Sequence, residues 1–173
     1  MKNVGFQLPV STRDGEFLAS YSEKGLTGLN FPKAKKSSLS QPDQVGRSVN
    51  SLPIPLHVLR WHRTTTNALK QILGGIEPKE LPPLDWTGKT EFQKSVWKAM
   101  LKIPLGRTRS YGELAAAIGK PKAVRAVGGA CGANPIPVLV PCHRVLAANN
   151  KIGGFSSGLG WKCSLLEREG VAF

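Results

Sequence analysis

The stretch Asn134-Pro135-Ile136-Pro137-Val138-Leu139-Val140-Pro141-Cys142-His143-Arg144-Val145 decides how the rest of this chain is organised. An apolar run between prolines leads into a cysteine that stands directly beside a histidine and an arginine. The run predicts a buried extended segment that holds Cys142 in a fixed place. Cysteine reacts as its thiolate, which a neighbouring cation or hydrogen-bond donor stabilises. We therefore interpret Cys142 as a nucleophile, with His143 and Arg144 as candidates for activating it.

The two other cysteines keep the commoner interpretation, which is that Cys131 and Cys163 are small core hydrophobes. Three cysteines cannot all pair, and no closely spaced Cys/His cluster is present. The sequence therefore predicts neither a disulfide framework nor a metal site, and it indicates no cofactor.

The charge distribution favours a polyanionic partner. The net charge is +13, and residues 87–173 carry +9 of it while residues 1–86 carry +4. Phosphate contacts are a common reason for such a bias, although a basic surface also serves solubility. No apolar stretch reaches the roughly 20 residues of a membrane span, and the N-terminus lacks the apolar run of a secretory signal. We expect an intracellular protein with no membrane partner, cytoplasmic in a prokaryote or nuclear in a eukaryote.

The chain divides into two predicted domains, residues 1–85 and residues 86–173. The first begins with short apolar runs around Asp14-Gly15 and Lys24-Gly25, which predict a small antiparallel meander. A polar surface loop is expected over residues 33–53. A helix follows from Leu59 to Leu73, with Leu59 on its inner face, and the proline-rich residues 76–86 connect the halves.

The second domain is predicted to be mostly helical. Capping boxes at Thr90 to Gln93 and at Ser110 to Glu113 open two helices, and Pro121 opens a third. The short helices on either side of Gly119 have the outline of a helix-turn-helix. The predicted fold class is therefore α+β: a small N-terminal antiparallel sheet with a helix, then a mostly helical domain containing a helix-turn-helix.

The last of these helices has an apolar stripe and a nearly bare opposite side. The stripe consists of Val124, Val127 and Cys131, and the other side consists of Arg125, Gly128, Gly129 and Gly132. Glycine costs a helix about 1 kcal/mol relative to alanine, so three of them need a compensating reason. Close approach of a partner is one reason, and tight packing within the protein is another. The slim surface with one arginine suits insertion into a DNA groove.

A final helix places Trp161, Leu165 and Glu169 at positions i, i+4 and i+8. This register would point the Glu169 carboxylate inward, where His143 is the evident partner for a chain of Glu169, His143 and Cys142. The alternative is that Glu169 merely ends the helix in solvent.

The long stretch around Cys142, preceded by Arg125-Ala126-Val127-Gly128-Gly129-Ala130, resembles the O6-alkylguanine-DNA alkyltransferase family from about Thr90 to Gly170. The resemblance implies direct, stoichiometric transfer of an alkyl group from O6-alkylguanine in double-stranded DNA to the cysteine. It implies minor-groove binding by a monomer without a cofactor, and it raises O4-alkylthymine as a further substrate.

The resemblance also assigns roles to individual residues. Glu169 would hold His143, which acts on Cys142 through a water, while Asn134 orders the site and Tyr111 assists flipping of the nucleotide. The matching arginine, Arg125, takes the place of the flipped nucleotide. The further DNA contacts implied are Tyr111, Ala126, Gly128, Gly129 and Arg144, and the pocket residues implied are Val145, Gly153, Phe155 and Ser156. Phe155 stands where relatives often have tyrosine, so a hydroxyl is missing there.

Two other function classes stay open from the sequence. A non-catalytic alkylguanine-binding or regulatory DNA protein would use the same helices, although the presence of Cys142 speaks against it. A cysteine hydrolase would use the Cys142 and His143 pair but would leave Arg125 without a purpose.

Overall fold

The computed structural model describes residues 5–32 and 53–173 of the chain. An antiparallel meander opens the described part, with strands β1 (Phe6–Thr12), β2 (Gly15–Ser22) and β3 (Gly25–Asn30) in that spatial order. Phe17, Ala19 and Tyr21 alternate along β2 and are buried, which is the pattern of a sheet with one covered face. The predicted meander is confirmed. The surface loop predicted for residues 33–53 lies outside the described residues except for Pro53.

Helix α1 (Leu56–Leu73) covers the sheet and begins three residues before the predicted start. Its buried side follows a helical period through Val58, Thr65, Leu69 and Ile72. Leu59 was predicted on this inner face, but it is 43% exposed. The prediction was wrong because Leu59 is one helical step of about 100° away from Val58.

Three sets of contacts connect the N-terminal sheet to the second half of the chain. The backbone of Leu26 in β3 exchanges hydrogen bonds of 2.8 Å with Pro83 and Asp85, in the proline-rich connection. The Leu29 amide donates to the Pro135 carbonyl at 2.9 Å. At the other end of the sheet the Arg168 guanidinium donates to both oxygens of the Asp14 carboxylate, at 2.7 and 2.8 Å. The sheet therefore braces the segment that approaches Cys142.

Helix α2 (Glu91–Met100) begins with the predicted capping box, in which Thr90 and Gln93 exchange hydrogen bonds. It packs through Val96, Trp97 and Met100, and the Trp97 indole donates to the Ala130 carbonyl at 2.8 Å. That bond joins α2 to α4 in the interior.

Helices α3 (Tyr111–Ala117) and α4 (Val124–Gly132) follow, joined by residues 118–123. The predicted capping box of Ser110 and Glu113 is present at the start of α3. The buried side of α4 consists of Val127, Ala130 and Cys131. Val124 was predicted in the buried stripe, but it is 40% exposed. It opens the helix, and the packed part of α4 starts one turn later at Val127.

A tight turn replaces the extended segment predicted before Cys142. Residues 136–140 are all buried, as predicted, but the Val140 amide donates back to the Ile136 carbonyl at 2.9 Å, and Val138 adopts a φ of 73°. The predicted extended conformation is wrong. Asn134 Oδ1 accepts a 3.0 Å hydrogen bond from the Ile136 amide, and this bond turns the chain locally.

The remaining elements surround this turn. A 3₁₀ turn covers Cys142–Arg144, and strand β5 (Val145–Leu146) pairs in parallel with β4 (Arg109–Ser110). Helix α5 (Leu159–Arg168) closes the structure. Among the described residues, no helix is both long and apolar enough to cross a membrane.

Candidate active site

Cys142 begins the 3₁₀ turn and faces a cavity of about 170 Å³. The residues lining this cavity are Tyr111, Gly128, Cys131, Gly132, Cys142, Gly154, Phe155 and Ser156. Cys142 is only 6% exposed, and what it exposes belongs to this cavity. The thiol is therefore held rigidly, and a small group entering the cavity can still reach it.

Asn134 fixes the sulfur through its side-chain amide. Its Nδ2 donates to Cys142 Sγ at 3.3 Å and to the Val140 carbonyl at 2.8 Å, while its Oδ1 accepts from the Ile136 amide. Because both ends of the amide have partners, the N–H that faces the sulfur cannot turn away. A hydrogen bond of this kind favours the thiolate over the thiol.

His143, the residue after Cys142, forms a buried pair with Glu169. His143 Nε2 lies 2.8 Å from Glu169 Oε1, and both side chains are fully buried. Burial lowers the pKa of His143, against the opposing effect of Glu169, so the ring is neutral. Burial raises the pKa of Glu169, but hydrogen bonds from His143 and Arg144 outweigh it, so the pKa stays below its usual value and the group is a carboxylate. A carboxylate can only accept hydrogen bonds, so Nε2 carries the ring proton and donates a hydrogen bond to Glu169 Oε1.

The second ring nitrogen of His143 is then a base without a partner. Nδ1 is buried and has no hydrogen bond to any described residue. In the neutral ring this atom holds the lone pair. A buried acceptor of this kind needs a partner, and a bound water is the usual one.

The prediction that Arg144 contacts DNA needs correction. Its Nε and Nη2 donate to Glu169 at 2.9 and 3.0 Å, and its Nη1 donates to the Ile103 carbonyl at 2.7 Å. The side chain is almost fully buried. Arg144 therefore neutralises and orients Glu169 inside the protein, and its donors are not available to phosphates.

Lys162 is a buried cation near the site that sequence reasoning missed. Its Nζ donates to the Val145 carbonyl at 2.7 Å and to the Gly154 carbonyl at 3.3 Å. It occurs on the same helix side as Leu165, Leu166 and Glu169, spaced i, i+3, i+4 and i+7. A lysine inside an apolar stripe was the available signal, because an unpaired buried ammonium is costly.

The electrostatics of Cys142 reflect these neighbours. Burial raises the pKa of its thiol, while the Asn134 hydrogen bond and the positive charge of Lys162 act in the opposite direction. The net effect is an increase, so the thiol is protonated at neutral pH in the unliganded cavity. Reaction therefore needs a base close by.

The predicted pocket residues occupy two positions relative to the cavity. Phe155 and Ser156 line it directly, and so does Tyr111, which was predicted as a catalytic and DNA-contacting residue. Gly153 stands behind Tyr111, since a β-carbon there would come within 3.3 Å of the phenol oxygen. Val145 is fully buried and contributes its carbonyl to Lys162 rather than a surface to the cavity. Gly153 and Val145 therefore support the wall from behind.

Helix α4 presents the open side that its sequence suggested. Arg125, Ala126 and Gly129 are exposed, and Gly128 is partly so. A β-carbon built at Gly128, Gly129 or Gly132 would meet nothing within 4 Å. Tight packing within the protein therefore does not explain these glycines, and close approach of a partner remains the explanation.

Comparisons with known proteins agree with this geometry. Residues 91–171 match the family described as the DNA-binding domain of 6-O-methylguanine DNA methyltransferase. The chain is 41% identical over 165 residues to a methylated-DNA–protein-cysteine methyltransferase of Methanosarcina acetivorans, covering 95% of this chain and 96% of that one.

Solved structures show the same fold. OGT of Mycobacterium tuberculosis, solved in complex with DNA, superposes with a TM-score of 0.71 at 35% identity, covering 93% of this chain and 90% of that one. O6-methylguanine-DNA methyltransferase of Pyrococcus kodakaraensis superposes with a TM-score of 0.63 at 25% identity, covering 96% and 99%. The chain belongs to the methylated-DNA–protein-cysteine methyltransferase family.

Proposed function

We propose that this protein repairs O6-alkylguanine in double-stranded DNA by transferring the alkyl group to Cys142 in one irreversible turnover. The observation that carries the proposal is a cysteine sulfur in a cavity wall, held by Asn134 and followed in the chain by the buried His143 and Glu169 pair. O4-alkylthymine is a further substrate to test.

Activation of Cys142 begins with the loss of its proton. We assign the base to His143 Nδ1, which is buried and lacks a protein partner among the described residues. A water bridging Sγ and Nδ1 would pass the proton, and the Glu169 carboxylate would stabilise the imidazolium that forms. Hydrogen bonds from Arg144 hold the Glu169 carboxylate in place, so Glu169 stays beside the His143 ring when the ring gains a proton.

The thiolate then attacks the saturated carbon on guanine O6. The S–C bond forms as the C–O bond breaks, and the guanine takes the bonding electrons and a proton. Burial raises the pKa of Tyr111, so its phenol stays protonated and available to donate a hydrogen bond to the departing base. The product is a thioether, which water does not hydrolyse, so each protein molecule acts once.

The DNA interface is assigned to α3 and α4 as a helix-turn-helix that enters the minor groove. The exposed side of α4 offers Arg125 among small residues, which fits a narrow groove. Because the cavity lies inside the protein surface, the alkylated base has to leave the helical stack, and Arg125 would fill its place. Ala126 and Gly129 would lie along the DNA backbone, Gly128 and Tyr111 would contact the flipped nucleotide from the cavity wall, and Phe155 and Ser156 would contact the flipped base.

The two-domain division is part of this proposal, with residues 86–173 carrying the chemistry and residues 1–85 supporting it. The bond between Leu29 and Pro135 and the ion pair between Asp14 and Arg168 favour a bracing role. We assign the protein as a monomer on the DNA.

Intact-protein mass measurement tests the proposal directly. Incubation with a duplex oligonucleotide containing O6-methylguanine should add one methyl group, located on the peptide that carries Cys142. The Cys163→Ser variant is the matched control, because Cys163 does not line the cavity, and it should gain the same group. An unchanged mass with retained binding to damaged DNA would instead indicate the non-catalytic alternative.

A further inference from the structure

Cys131 shares the reactive cavity with Cys142. It lies on α4, is 5% exposed, and lines the same cavity of about 170 Å³. The other α4 residues in that wall are Gly128 and Gly132, so no other α4 side chain enters the cavity. Transfer of one alkyl group to Cys142 does not use this second sulfur, and the interpretation of Cys131 as a core hydrophobe gives the sulfur no chemical role.

We propose that Cys131 captures a second electrophilic carbon, so that a thioether bridge closes between Cys142 and Cys131 when the transferred alkyl group carries a leaving group of its own. A 2-haloethyl group on guanine O6 is the substrate class. The inference rests on the proposed function where the group comes from DNA, because Cys142 must accept it first.

The reaction has two balanced steps. In the first, Cys142 Sγ bonds to the carbon on guanine O6, and the guanine leaves with the electrons of the C–O bond, so the halogen remains on the outer carbon. In the second, the Cys142 sulfur displaces halide to form a three-membered sulfonium ring. Cys131 Sγ then attacks a ring carbon, the C–S bond to Cys142 at that carbon breaks, and the Cys131 proton goes to solvent. The net loss in the second step is one hydrogen halide.

The reactivity of Cys131 depends on the state of Cys142. Burial, together with negative charge on Cys142, raises the pKa of Cys131 to about 12, while Lys162 acts in the opposite direction. Once Cys142 is alkylated its sulfur can no longer become a thiolate, so it does not oppose loss of the Cys131 proton when the second nucleophile is needed. A cyclic sulfonium is also a strong enough electrophile for a thiol that loses its proton as the bond forms.

The bridge would protect the DNA that has just been repaired. An S-haloethyl cysteine can alkylate nucleophiles on a nearby base, and the cavity opens beside the exposed face of α4. Capture inside the cavity removes this electrophile before it reaches DNA. The held thiol should outcompete water and DNA by roughly tenfold or more, because the reaction is intramolecular.

Two probes test the inference. The first is a duplex containing O6-(2-chloroethyl)guanine, and the second is 1,2-dibromoethane applied to the protein without DNA. Each should give a protein whose mass corresponds to an ethylene group replacing two thiol hydrogens. Peptide mapping should find Cys131 and Cys142 in one linked product that resists disulfide reductants. The Cys163→Ser variant should form the same bridge.

The Cys131→Ser variant should instead give a hydroxyethyl group on Cys142 and about tenfold more protein–DNA cross-link on a denaturing gel, normalised to its own methyl uptake from O6-methylguanine. A chloroethyl or hydroxyethyl group on Cys142 of the unmodified sequence, with Cys131 free, would overturn the inference and leave the repair function intact. Failure of methyl transfer would count against the repair function, whereas the dibromoethane probe would still decide whether the two thiols bridge.

Discussion

Replacement of Glu169 by glutamine separates the two tasks of this carboxylate, which are to support His143 and to neutralise Arg144. Glutamine has nearly the same shape, and its Oε1 can still accept the hydrogen bond from His143 Nε2, which lies 2.8 Å from Glu169 Oε1 in the structure. The negative charge is lost, however, while the Arg144 guanidinium stays buried.

The expected magnitudes follow from those two contacts. A nearby carboxylate stabilises an imidazolium by roughly one to three pKa units, each worth about 1.4 kcal/mol. The rate constant for methyl transfer should therefore fall about ten- to a thousandfold. Leaving Arg144 buried without its partner should also lower the free energy of unfolding by about 3–5 kcal/mol.

Single-turnover kinetics with O6-methylguanine duplex measure the rate, and urea denaturation measures stability. The double variant Arg144→Met, Glu169→Gln is the matched control, because removing both charges should recover much of the stability without recovering the rate. A folded Glu169→Gln protein that reacts within about twofold of the original rate would refute the assignment of His143 as a base supported by Glu169.

Three further predictions concern the interface, the sulfur and pH. The Arg125→Ala variant should lose about tenfold or more of its repair rate on duplex DNA but little of its reaction with free O6-benzylguanine; equal losses on both would make Arg125 structural. The Asn134→Ala variant leaves the Ile136 amide without its partner, while the Val140 carbonyl keeps its bond from the Cys142 amide, so unfolding should require about 1–3 kcal/mol less and iodoacetamide should label Cys142 more slowly at fixed pH; labelling at the original rate would argue against the Asn134 bond to sulfur. Stability should fall as pH drops below about 6.5, because burial keeps the folded-state pKa of His143 under its ordinary value and only the unfolded chain then gains the proton. Urea denaturation at pH 7 and pH 5 checks this, and a His143→Gln protein should show a smaller decrease; an equal decrease would assign the effect to other groups.

Local patterns in the sequence were enough to predict the elements that have local causes. Thr90 with Gln93 and Ser110 with Glu113 cap their helices as predicted, because a capping box involves only residues three apart. The meander followed from turn residues between apolar runs. The register of Trp161, Leu165 and Glu169 on α5 likewise placed the carboxylate on the inner side, where the structure finds His143.

Only the tertiary structure decided which side chains share an environment. Arg144 reads as a surface cation beside Cys142, yet its direction is set by Glu169 and the Ile103 carbonyl, which lie 25 and 41 residues away in the chain. Lys162 enters the site because the Val145 and Gly154 carbonyls converge on it, and Cys131 lines the same cavity as Cys142 because α4 forms part of the cavity wall. Periodicity identifies which face of an element is buried, but contacts between distant segments determine what that face meets. For the same reason the sequence alone predicted Cys142 as the candidate nucleophile, and the packing of α4 and α5 around it determined which side chains surround it.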